Sequence, residues 1–155
     1  MKKYDSSVPF QADPKLLALL KKRKGILTNE ATQKVREELT VYMTNDLWFL
    51  VAVFPAESAR KEDFLTALDI ERADMMQDAE NQYYLPVFTD EESLLAFKPE
   101  LKEGEAIYLC DKKDMLEFLG FNEHVAAIVV NPMKDDLLLY RAILQNLLKV
   151  AADRL

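Results

Sequence analysis

Eight consecutive apolar residues, Leu47-Trp48-Phe49-Leu50-Val51-Ala52-Val53-Phe54, stand out in a chain of which 30% is charged. A strand with one wet face alternates apolar and polar side chains, and this run does not. It predicts a strand covered on both faces, central in its sheet. Pro55 ends it, since proline has no N–H to extend a ladder.

The 155 residues, half of them apolar, are enough for one core, and two separate cores would each be marginal. Residues 1–13 show no hydrophobic period and contain Pro9, so they read as a flexible N-terminal arm; 14–155 read as a single domain. Asp13-Pro14 resembles an N-cap followed by proline at the first helical position, opening a helix through about Lys22 with Gly25 as its stop. A second helix is predicted from Asn29 to about Thr44, with Val35, Leu39 and Tyr42 on one face. Asn45-Asp46 turns the chain into the apolar run.

Residues 64–70 read as a weak strand, with helix as the alternative because Leu65 and Leu68 also suit a 3.6-residue period. The polar stretch to Gln82 predicts a loop or hairpin. Its Met75-Met76 pair is a soft contact surface or simply part of a loop. Tyr83 to Phe88 is then a strand carrying Pro86, which must be bulged there or leave that position unpaired. Thr89-x-x-Glu92 has capping-box spacing for a helix holding Leu94, Leu95 and Phe97, stopped by Pro99.

The strand-to-helix unit recurs. Ala106–Cys110 is a strand, Asp111 caps a helix closed by Gly120, Val125–Val130 is a strand, and Asn131-Pro132 turns into a final helix from Asp135 to about Asp153. Strands separated by helices imply parallel crossovers, while the earlier strands, joined by loops, suggest antiparallel additions. The expected class is α+β: a mixed sheet of about five strands with helices on both faces, its C-terminal part made of βαβαβ crossovers.

Charge divides the chain. Residues 1–24 carry seven Lys or Arg and two Asp, about +5, against a total of -7, so the remainder is near -12. An acidic body disfavours nucleic-acid binding, which is built on phosphate neutralisation. Lys21-Lys22-Arg23-Lys24 is either a partner-docking or membrane-surface patch, or a helix end whose cations complement the dipole. The longest apolar runs are too short to span a bilayer, and no apolar segment follows Lys2-Lys3 as a secretory signal would require. A cytoplasmic location is expected.

Catalytic motifs are sparse. His124 is the one histidine and has no partner at metal-ligand spacing, so no metal is expected. Three glycines form no phosphate loop, no nucleophile elbow is present, and no cofactor or catalytic residue is assigned. Cys110, the lone cysteine, lies at a strand end before a helix, where a thiolate could be stabilised; its apolar run equally fits a core thiol. In open parallel sheets ligands gather beyond the carboxyl ends of strands, which here brings forward Thr89, Cys110, Asp111 and Asn131. Those residues also serve as helix caps and turns.

The run Leu85-Pro86-Val87-Phe88-Thr89-Asp90-Glu91-Glu92-Ser93-Leu94, with Trp48 to Pro55, Ala106 to Leu116 and Ile128 to Pro132, resembles the N-terminal domain family of the enhanced-serine-sensitivity (SseB) proteins. The resemblance covers the chain from about Leu16 onward and implies a bacterial protein with no assigned catalytic residue or cofactor. The expected role is a non-catalytic binding or regulatory module acting on a protein partner or on itself. The alternative is a sensor of amino-acid or thiol metabolites, or a weak enzyme, working at the C-terminal edge of the sheet.

Overall fold

The computed structural model describes residues 1–8, 10–25 and 28–154. The fold is α+β, with strands β1 (Lys2–Lys3), β2 (Phe49–Pro55), β3 (Ile70–Arg72), β4 (Met76–Gln77), β5 (Tyr83–Val87), β6 (Ala106–Cys110), β7 (Val125–Val130) and β8 (Leu137–Tyr140). Its helices are α1 (Pro14–Lys24), α2 (Asn29–Tyr42), α3 (Glu91–Phe97), α4 (Lys112–Phe121) and α5 (Arg141–Asp153).

Two four-stranded sheets replace the expected sheet of about five strands: β1-β6-β2-β3 and β4-β5-β7-β8. They join where Leu50 and Phe88 exchange both backbone bonds, each 2.8 Å. The βαβαβ expectation is corrected in its pairing. β5 and β7 are parallel, but β6 between them in sequence crosses to the far side of β2 and pairs with it antiparallel. A central antiparallel β2 is thus interposed between β5 and β6.

β2 is buried at every position, as its unbroken apolar run requires. Phe49, Val51 and Val53 enter the large core with Leu16, Leu19 and Leu20 of α1, Leu39 of α2, Met115, Phe118 and Leu119 of α4, and Leu144 and Leu147 of α5. On the other face Leu50 packs with Phe88 and with Leu94 of α3. Helices therefore do cover both faces.

Local expectations divide. Asp13 caps α1, accepting from the N–H groups of Lys15 and Leu16, and Gly25 ends it. The hairpin before Tyr83 is β4 paired with β5. Pro86 needs no bulge: Asn131 N–H donates to Val87 C=O, so Val87 faces β7 and its neighbour Pro86 faces the opposite edge, beyond the end of β4. The register shift in β5 lies at Tyr83/Tyr84.

Several expectations are corrected. The arm over residues 1–13 is held at its start, because Lys2 and Lys3 pair with Leu109 and Tyr108, and Met1 is buried. Residues 64–70 are neither one strand nor one helix: Phe64 bridges Lys2, residues 67–69 make a single 3-10 turn, and β3 begins at Ile70. Asp90, not Thr89, caps α3, accepting from Ser93 N–H at 2.7 Å. Gly120 lies inside α4, which runs to Phe121. The final helix starts at Arg141, not Asp135; Leu137–Tyr140 fit a helical period in sequence, but the turn after β7, with positive φ at Asn131, Met133 and Asp136, folds them back onto β7 as β8.

Candidate functional site

The C-terminal ends of β5, β6 and β7 lie at the same end of the molecule, since β5 and β6 both run antiparallel to β2 and β7 runs with β5. Of the four residues expected there, only Thr89 and Asn131 touch. Asn131 Oδ1 accepts from Thr89 N–H at 3.0 Å, and its Nδ2 donates to Thr89 Oγ1 and to Asp135 Oδ2, both at 2.8 Å. The Thr89 hydroxyl donates to Asp90 Oδ2 at 2.6 Å. Although burial pushes the Asp90 carboxyl up, that hydroxyl and the Ser93 N–H hold it below the usual aspartate range. This polar cluster is closed on itself.

Asp111 belongs to a different neighbourhood, two strand positions from Thr89 across β2. Its carboxylate accepts from Asp114 N–H at 2.9 Å, and the Asp114 carboxylate reaches back to Asp111 N–H. Cys110 is fully buried in the large core, where burial first, then the Asp114 and Asp111 charges, push its thiol well up. That is a core thiol's environment.

Beside Asp111 opens a cleft of about 590 Å³, lined by Asn45, Asp46, Trp48, Lys112, Lys113 and Arg154 among others. Lys112 is only 5% exposed and its amine donates to Asn45 C=O. Burial lowers the affinity of that amine for its proton, opposed by the Asp46 and Asp111 charges. Trp48 is 45% exposed at the cleft.

A second depression, of about 400 Å³, runs beside β8. Its walls are Arg36, Leu39 and Thr40 of α2, Met43 just past that helix, and Ile143 and Leu147 of α5; Arg23 and Asp136 stand at it too. Three successive residues of β8, Leu137, Leu138 and Leu139, line it. A strand seen face-on presents alternate residues, so the groove looks onto the strand's edge.

The backbone confirms this view. Asn131 N–H bonds to β5, which turns Val129 and Ala127 toward β5 and leaves Val130 and Ile128 to bond β8. Their partners are Leu137 and Leu139. The N–H and C=O of Leu138 and the N–H of Tyr140 therefore point away from β7, and they have no backbone partner among the described residues.

The basic cluster is split. Arg23 donates to Asp135 C=O at 2.8 Å, Lys22 lies 3.7 Å from Glu38, and Lys21 and Lys24 are exposed. His124 is exposed, its ring edge-on to Tyr83. Among the described residues no group of three or more His, Cys, Asp or Glu is placed to hold a metal ion, and no helix is long and apolar enough to cross a membrane.

Sequence reasoning missed Arg36, Thr40, Leu138 and Ile143, which come from three elements and share no motif. Comparison with protein-family models, with curated proteins and with solved structures finds no match.

Proposed function

We propose that this protein is a non-catalytic binding module that acts through protein–protein contact, with the groove along β8 as its working surface. The observation that carries this reading is the backbone of Leu138, which lies in an apolar groove and has no backbone partner among the described residues. Unpaired strand edges template pairing with another chain, and folds that do not use them usually cover or charge them. The SseB family reading belongs to this proposal, supported by the run from Leu85 to Leu94, and with it a bacterial, cytoplasmic setting.

The test is a capture experiment with the immobilised chain, followed by sizing with the purified candidate. A protein retained by the wild type and lost on Thr40→Trp, which fills the groove, is the expected result. A clean monomer that retains nothing sinks the reading.

A second reading, a small-molecule sensor at the C-terminal edge of the sheet, is favoured by the exposed Trp48 and Lys113 in the cleft beside Asp111. Thermal-shift screening with amino acids, nucleotides and thiol metabolites separates the two, because a ligand of the native state raises the melting temperature by linkage. A shift abolished by Trp48→Ala favours this second reading.

A further inference from the structure

We infer that the groove takes an extended, acidic segment of a partner protein as an added strand on β8. This rests on the protein-binding reading above and names the class of partner and the mode of contact.

The mode follows from the backbone. Leu138 offers one outward N–H and one outward C=O, and Tyr140 one further N–H, at the two-residue interval an added strand reads. The Tyr140 carbonyl is already committed as the N-cap of α5. The exposed Ile143, beside a floor where the otherwise buried Leu39, Met43 and Leu147 reach the groove, offers apolar contact to the incoming segment. Main-chain bonds supply affinity in such strand addition, and side-chain pockets supply selectivity.

The charge of the occupant follows from the rim. Arg23 and Arg36 both line the groove and neither has a carboxylate partner among the described residues, in a chain of net charge -7. Among the described residues Arg23 is engaged by a backbone carbonyl alone. Among the described residues one acid lines the groove, Asp136, which accepts from Met133 N–H at 2.7 Å; its single negative charge against Arg23 and Arg36 leaves the lining net positive. Lys21 and Lys24 extend the positive field along the same helix end. An acidic segment completes these cations and a basic one is repelled.

A folded second copy is the poorer occupant. Strand pairing needs the two backbones about 4.8 Å apart. Each copy carries β8 beside the wall of α2, so two such edges obstruct each other where a bare peptide enters freely.

The test uses the full chain and a fluorescein-labelled peptide alternating valine with glutamate, titrated by anisotropy, with the valine–lysine peptide as control. The valine–glutamate peptide is expected to bind with Kd below about 1 mM, and the lysine version at least about tenfold more weakly. Leu138→Pro removes the groove-facing N–H without touching the bonds to β7, and is expected to weaken binding about tenfold or more. Thr40→Trp and Arg36→Glu, on the surface of α2, keep the test decisive if the proline variant fails to fold; both should weaken binding to a similar degree.

Equal affinity for the two peptides, undiminished binding by Thr40→Trp and Arg36→Glu, or no binding below about 1 mM overturns the inference. If a protein partner is captured equally by wild type and by these variants, strand addition and the β8 groove as the working surface are both wrong, while the reading of a protein-binding module stands. If the peptide binds as expected but no partner protein exists, the reverse holds.

Discussion

The carboxamide of Asn131 holds Thr89 at two points, accepting from its N–H at 3.0 Å and donating to its hydroxyl at 2.8 Å, and so ties the end of β5 to the end of β7. Asn131 is itself 1% exposed with φ 49°, a left-handed conformation that asparagine tolerates better than most residues. Replacing it with alanine leaves buried groups of Thr89 and Asp135 unpaired and strains the backbone. Asn131→Ala should cost about 2–4 kcal/mol, and Asn131→Gly about 1 kcal/mol less, because glycine accepts the positive φ. Urea unfolding of the two variants measures the difference; equal losses would mean that backbone strain contributes nothing.

Lys98 bridges Asp74 at 2.7 Å and Glu105 at 2.6 Å, tying the end of α3 to the segments before β4 and β6. The Glu105 side chain is fully buried. Lys98→Met leaves that carboxylate without its cation and should destabilise by about 3 kcal/mol or more. Adding Glu105→Leu should recover much of the loss, since a matched apolar pair removes the uncompensated charge. A double-mutant cycle in urea reads both numbers, and additive losses would show that the pair does not interact.

Acid should loosen the start of α3. Asp90 is held below its ordinary value of 3.8 by the Thr89 hydroxyl and the Ser93 N–H despite its burial. A carboxyl depressed in the folded state binds protons more weakly there than in the unfolded chain. Its contribution is therefore full above about pH 4 and lost as pH falls through the lower, folded value. Asp90→Asn should flatten the acid limb of a stability profile between about pH 2 and 5 relative to wild type; superimposable limbs would assign the acid response elsewhere.

Cys110 should be inert in the native protein. Its thiol is 0% exposed and burial raises it well above the usual cysteine value. A thiol reagent at neutral pH is expected to modify it only after denaturant is added. Rapid, pH-dependent labelling of the folded chain would instead support a reactive strand-end thiol.

How far the fold is legible depends on what each segment contacts. β2 is readable because a strand with two dry faces must be apolar throughout, and Asp13 and Asp111 are readable as caps because the cap bond is local. Leu137–Tyr140 is not: four large side chains in a row suit a helix as well as an edge strand, and the choice is made by the Asn131 turn and the waiting edge of β7. The pairing of β6 with β2 is equally hidden, because period-two patterning states which face is dry and says nothing about the neighbour. Thr89 and Asn131 are visible as strand-end residues, and their mutual bonds separate them from Asp111. The β8 groove escapes sequence reasoning because α1, α2, β8 and α5 each supply part of it.

The junction of the two sheets at Leu50 and Phe88 gives the molecule a crease. A single reciprocal amide pair stitches β2 to the end of β5, whereas β2 and β6 are paired from Phe49 through Val53. Shear between the two halves has fewer bonds to break than unzipping either half, so hydrogen exchange at Leu50 and Phe88 should run ahead of exchange at Val51 and Tyr108, and motion of the β8 side relative to the β1 side should pivot there.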